Sequence, residues 1–167
     1  NPTHFVPVAE ESDLIIKLGS YVLTRAVREV QRWHRELPRP DQPLFVSVNV
    51  SSRQLFRPEL INEVRHLLSR AVIPKGSLRL EITEALAMEN PEKAASVLEQ
   101  LAAAGTGLSL DDFGTGYSSL SYLTQFSFDT IKVDRAFVQA RGQNGTGAVV
   151  LRSIIALAHE LGKKVVA

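Results

Sequence analysis

Two adjacent carboxylates, Asp111 and Asp112, stand at the end of a short alternating run, Leu108-Ser109-Leu110. A glycine-bracketed turn, Gly114-Thr115-Gly116, follows at once, and Ser118 and Ser119 open the next apolar run. A strand that stops at paired acids and turns on glycines has the form of an active-site rim, because in α/β folds the carboxyl ends of strands and the loops after them carry the chemistry. The competing reading is a solvated loop, for which Asp and Gly are ordinary residues. Neighbouring side chains on a strand point to opposite faces, so both acids serve one site only if the strand ends there and Asp112 swings over.

Four further positions join these acids when the other strand-like runs are aligned by parity: Asn49, Glu81, Lys132 and Asp134. One amide oxygen with several carboxylates is a hard donor set, suited to Mg²⁺ or Mn²⁺ rather than to zinc, which favours His and Cys. A lysine among carboxylates can orient a water or neutralise a phosphate oxygen. It can equally be an internal ion-pair partner for Asp111 or Asp134, and a dry interior needs such pairing in either case. Oxygen ligands, two metal ions and one positive group are the components of phosphodiester hydrolysis, in which metals activate water and steady the leaving oxygen. His4, His34, His66 and His159 show no paired ligand spacing, and the last three fall in helical stretches, where they are expected on helix surfaces.

The elements that must position this set follow from periodicity. Pro2 to Pro7 reads as an extended lead-in, and a long helix is expected from Glu10 to about Leu37, weakened at Gly19 and ended by Pro38 and Pro40. FVSVNVS (Phe45 to Ser51), SLRLEIT (Ser77 to Thr83), the run ending at Asp111, DTIKVD (Asp129 to Asp134) and Lys164 to Ala167 read as strands. Helical stripes separate them: one from Pro58, one capped by Asn90-Pro91 and closed by Gly105, a short one around Ser119 to Leu123, and one closed by Gly162. Gly142 to Gly147 reads as a polar loop. Strict alternation of strands and helices predicts repeated βα units and a parallel sheet. The strands are apolar on one face only: Val46, Val48 and Val50 alternate with Ser47, Asn49 and Ser51, and Leu78, Leu80 and Ile82 with Arg79, Glu81 and Thr83. Parallel sheets are normally covered on both sides, so a polar face argues for the interior of a barrel, where functional groups converge.

The 167 residues suit one domain with a real core. The formal charge is +1 and Lys and Arg form no block, so nothing argues for a nucleic-acid polymer as partner. With no cysteine, disulfides and thiolate metal sites are excluded.

On these motifs the chain resembles the EAL domain of bacterial cyclic di-GMP phosphodiesterases. The matching stretches are FVPVAEESDLIIKLGSYVL (Phe5 to Leu23), SVNVSSRQL (Ser47 to Leu55), LEITEA (Leu80 to Ala85), LSLDDFGTGYSSLSYL (Leu108 to Leu123), IKVDRAFV (Ile131 to Val138) and the terminal KVVA. The resemblance implies an α/β fold, a (β/α)₈ barrel of TIM type whose first strand is antiparallel, and hydrolysis of cyclic di-GMP to linear pGpG with Mg²⁺ or Mn²⁺. Carried over by position, Asn49, Glu81, Asp111 and Asp112 match metal ligands. Lys132 matches the lysine that positions or activates the attacking water. Glu84 matches a glutamate that holds the loop after DDFG, a loop also tied to homodimer formation. Asp134 is a candidate supporting residue behind the ligands. The literal Glu84-Ala85-Leu86 is not the family signature, which lies on the first strand and would precede Asn1. The expectation is therefore one partial domain over residues 1 to 167, covering about strands two to six of eight and short of two site glutamates. The resemblance also implies a cytoplasmic parent protein, in some cases membrane-anchored, with attached sensory or GGDEF-type domains. A non-catalytic cyclic di-GMP receptor and an inactive structural fragment are the alternatives.

Overall fold

In a computed structural model of the chain, the structure describes residues 1–37, 43–114, 120–139 and 146–167. Its centre is a five-stranded parallel sheet in sequence order: β1 (Val46–Asn49), β2 (Leu78–Thr83), β3 (Gly107–Phe113), β4 (Thr130–Val133) and β5 (Lys164–Val166). Helices α2 (Leu14–Glu36), α4 (Pro58–Arg70), α6 (Pro91–Ala104) and α9 (Thr146–Glu160) lie along it. Leu78, Leu80, Ile82, Leu108, Leu110 and Ile131 are fully buried beneath these helices, and the alternate residues of the same strands face the other way. The period-2 pattern thus separates an apolar helix-covered face from a polar face, as a (β/α)₈ barrel requires.

The amino-terminal region departs from expectation. Residues 2–11 form a helix, α1 (Pro2–Glu11), rather than an extended lead-in. Asn1 caps it, its side chain accepting from the Thr3 N–H, and Pro2 sits in the first turn, where a missing N–H costs nothing. The long helix expected from Glu10 is broken at Ser12-Asp13. Ser12 Oγ donates to the Val8 carbonyl at 2.8 Å, and Asp13 takes a left-handed conformation (φ 58°). Aspartate tolerates that conformation better than most residues, so the chain turns there and restarts as α2. Gly19 is no weakness. A Cβ at Gly19 would lie 1.7 Å from the side-chain nitrogen of Gln54, so the missing methyl admits that buried amide.

Other boundaries shift by a residue or two. The run expected to end at Asp111 continues to Phe113, because Phe113 pairs with Val133 and is buried. The short helix after the acids is α7 (Leu120–Gln125). His34 is half-buried rather than on a helix surface, its Nε2 lying 2.8 Å from the Leu44 carbonyl and 3.1 Å from Ser77 Oγ. The proline stop at Pro38 and Pro40, the turn at Thr115 to Ser119 and most of the Gly142 to Gly147 loop lie outside the described residues. Among the described residues no helix is long and apolar enough to cross a membrane.

Candidate active site

The acids gather because β3 is irregular where they sit. Leu110 pairs with Ile131 and Phe113 with Val133, so Asp111 and Asp112 together oppose the single residue Lys132. Two residues against one is a β-bulge, a device that re-aims side chains. Asp112 carries the bulge with a left-handed backbone (φ 55°). Leu110 and Phe113 both keep to the buried face, so both carboxylates fall between them on the polar side.

Lys132 Nζ donates to Asp111 Oδ2 at 2.8 Å and to Glu81 Oε2 at 2.9 Å. The sequence offers Asp111 or Asp134 as the lysine's partner; the structure pairs it with Asp111 and adds Glu81 from β2. Glu81 lies on β2 and Lys132 on β4, two strands apart and so about 10 Å at the backbone. The ion pair crosses β3, on which the small, buried Ser109 is the residue opposite Glu81. Burial alone would lower the lysine's pKa, but its hydrogen bonds to Asp111 and Glu81, and their charges, outweigh it and push the pKa up. Asp112 is held above the usual carboxylate range, first by burial and then by repulsion from Asp111 and Asp134, against the pull of Lys132.

The remaining positions each have a distinct placement. Asn49 ends β1 beside Glu81 in register and is exposed at the rim. The capping box that follows fixes the chain there, with Ser51 N and Ser51 Oγ both donating to Gln54 Oε1, at 3.2 and 3.0 Å. Glu84 opens α5 (Glu84–Glu89), is 1% exposed, and accepts from the Gly114 N–H at 2.8 Å. Gly114 has φ 102°, and a Cβ there would meet the Phe137 ring at 2.7 Å, so only glycine fits that approach. Asp134 caps α8 (Arg135–Gln139), its Oδ1 accepting from the Ala136 N–H at 2.6 Å. The loop tied to dimer formation falls on residues 115–119, outside the described residues.

The donor set fits a hard divalent cation in chemistry: an amide oxygen and carboxylates, with Glu81, Asp111, Asp112 and Asp134 set against one ammonium. Among the described residues, however, no three His, Cys, Asp or Glu side chains stand close enough together to hold a metal ion. Lys132 meets part of that demand for positive charge from its seat between Glu81 and Asp111.

Fold and rim together define an α/β protein of the (β/α)₈-barrel type with an acid-lined site at the carboxyl ends of its strands. The family model described as "EAL domain" matches residues 1–167, and the chain belongs to that family. It is 37% identical over 166 residues to the bifunctional diguanylate cyclase/cyclic di-GMP phosphodiesterase MucR of Pseudomonas aeruginosa, covering 99% of this chain and 24% of that protein. The chain thus spans about a quarter of that relative's length. Among solved structures it is similar to the PaMucR phosphodiesterase in its c-di-GMP complex (TM-score 0.90, 36% identity, 99% of this chain and 66% of that one). It is also similar to the FimX EAL domain from Pseudomonas aeruginosa bound to c-di-GMP (TM-score 0.86, 25% identity, 98% and 64%).

Proposed function

We propose that this chain is the catalytic domain of a metal-dependent phosphodiesterase that opens cyclic di-GMP to linear pGpG. The observation that carries the reading is the pairing of Lys132 with Glu81 and Asp111 at the strand ends, beside a bulge that adds Asp112. The kinship with MucR and its c-di-GMP complex supports the choice of substrate. In this reading Asn49, Glu81, Asp111 and Asp112 hold two divalent cations, Mg²⁺ or Mn²⁺. When bound, the ions supply an activated water and charge stabilisation at the phosphate. Lys132, kept protonated by its two carboxylates, neutralises a phosphate oxygen or orients the attacking water. Glu84 is a positioning residue that tethers the chain at Gly114, directly after the acids.

Asp111→Asn tests this. The substitution keeps the shape and removes the charge, so pGpG formation in Mn²⁺, followed by chromatography, should fall by roughly 100-fold or more. Unchanged turnover would overturn the assignment.

A second reading is a domain that binds cyclic di-GMP without cutting it. It draws on the absence of three gathered metal-ligating side chains among the described residues, and on the similarity to the c-di-GMP-bound FimX domain. Saturable nucleotide binding with no product from the unsubstituted protein in Mn²⁺ would select it, and detectable pGpG would eliminate it.

A further inference from the structure

At the amino ends of the strands, opposite the acidic rim, the structure holds a cavity of about 500 Å³. That is within the range of small-molecule sites. Phe45, just before β1, Arg79 on β2 and Lys164 at the start of β5 line it, together with Lys75 from the turn before β2. Arg79 shares the strand face of Glu81, two residues nearer the amino end. Its guanidinium carbon sits 3.7 Å from the centre of the Phe45 ring. Its stem crosses the β3 position paired with it, Gly107, where a Cβ would come within 2.8 Å of Arg79 Cγ. Glycine there is what allows the arginine to lie in the cavity.

Among the described residues, Arg79, Lys75 and Lys164 form no side-chain ion pair or hydrogen bond. Among the described residues the lining contains one carboxylate, Asp129. Its Oδ2 already accepts from the Leu108 N–H at 2.8 Å, and it also supports the charge of Lys163. Among the described residues, three cations therefore face a concave space against one acid.

We propose that this cavity is a second ligand site, for a small phosphate-bearing anion, separate from the catalytic rim. Arg79 is pre-oriented by its stacking on Phe45, and a guanidinium fork matches two phosphate oxygens. Lys75 and Lys164 supply point charges for the remaining ones. A monocarboxylate would leave most of this positive charge unmet, whereas a phosphate dianion or pyrophosphate answers it. The acidic rim has the opposite polarity and repels such an anion when no metal is bound.

The probe is inorganic pyrophosphate, titrated calorimetrically into the full chain in EDTA so that no metal recruits it to the rim. Saturable binding is expected, weakened roughly tenfold or more by Arg79→Gln and by the double substitution Lys75→Gln/Lys164→Gln, and unchanged by Lys132→Gln. The two lysines are exposed, so the double variant decides the matter if Arg79→Gln fails to fold. No saturable binding at millimolar pyrophosphate would overturn the proposal and leave Arg79 and Phe45 as a plug in the floor of the sheet. Equal binding by all variants, or loss only in Lys132→Gln, would overturn it as well. None of these outcomes depends on whether the rim hydrolyses a nucleotide.

Discussion

Asp112 shows how holding a carboxylate beside other acids costs the fold. Burial and the charges of Asp111 and Asp134 raise its pKa, so its ionised form is less favourable in the folded chain than in the unfolded one. That cost is present above the folded-state pKa and is relieved as pH falls through it. Asp112→Asn should therefore stabilise the protein at neutral pH, and asparagine also suits the left-handed backbone at this position. The side chain is exposed, so the gain is discounted for solvent screening to a few tenths of a kcal/mol, about 1 °C in thermal midpoint. Thermal unfolding across a pH series checks it. The advantage over the unsubstituted protein should close in acid, below the ordinary carboxylate value of 3.8. A variant that gains stability while losing hydrolysis would fit the trade between activity and stability expected at a functional site.

At the scale of elements, the rim is held by short connections rather than by long helices. The turn after β1 is fixed by the Ser51–Gln54 capping box, and Gln54 is in turn seated in the gap left by Gly19 of α2. Helix propensity alone predicts that Gly19→Ala gains up to about 1 kcal/mol. The structure predicts the opposite sign, because the new methyl would overlap the Gln54 amide and force it out of a buried place. A net loss of about 1–3 kcal/mol is expected, read as a lower urea midpoint with an unchanged slope. A stabilised variant would show that Gln54 moves aside freely and does not anchor the turn beyond Asn49. The β3 bulge is the other such device, since it adds one residue to a strand and turns two adjacent acids toward the same side.

For the whole molecule, one core links the two ends of the sheet. Leu80 lies at the centre of that core, fully buried, while its neighbours Arg79 and Glu81 point to the polar face, one toward the basic cavity and one into the acidic rim. Leu80→Ala should cost about 2–5 kcal/mol through lost burial and the cavity left behind. Chemical unfolding followed by both fluorescence and circular dichroism should give one coincident transition. Two separated transitions would mean that the rim and the basic end belong to independently folding units.

Much of this was legible in the chain itself. Alternation in SLRLEIT and DTIKVD marked which side chains share a face, because side-chain direction along a strand is a local property of the backbone. It also marked the acids, Lys132 and the barrel-type polar face as one group. What periodicity could not carry was anything set by contact between distant segments. The helix over residues 2–11 carries Pro2 and Pro7, which read as extended chain, and the polar run Glu10 to Asp13 reads as the start of the next helix; the left-handed Asp13 marks the break. Gly19 reads as a flaw in the helical pattern, and the reason for it is Gln54, from the turn after β1, which fills the space a methyl would take. Lys132 could have chosen either of two aspartates nearby in pattern, yet cross-sheet geometry also delivered Glu81, two strands away. The sequence by itself determined the strands and which side chains share each face. Tertiary structure decided the bulge at Asp111–Asp112, the ion pair across β3 and the basic cavity around Arg79, because register and convergence exist only once separate strands are brought side by side.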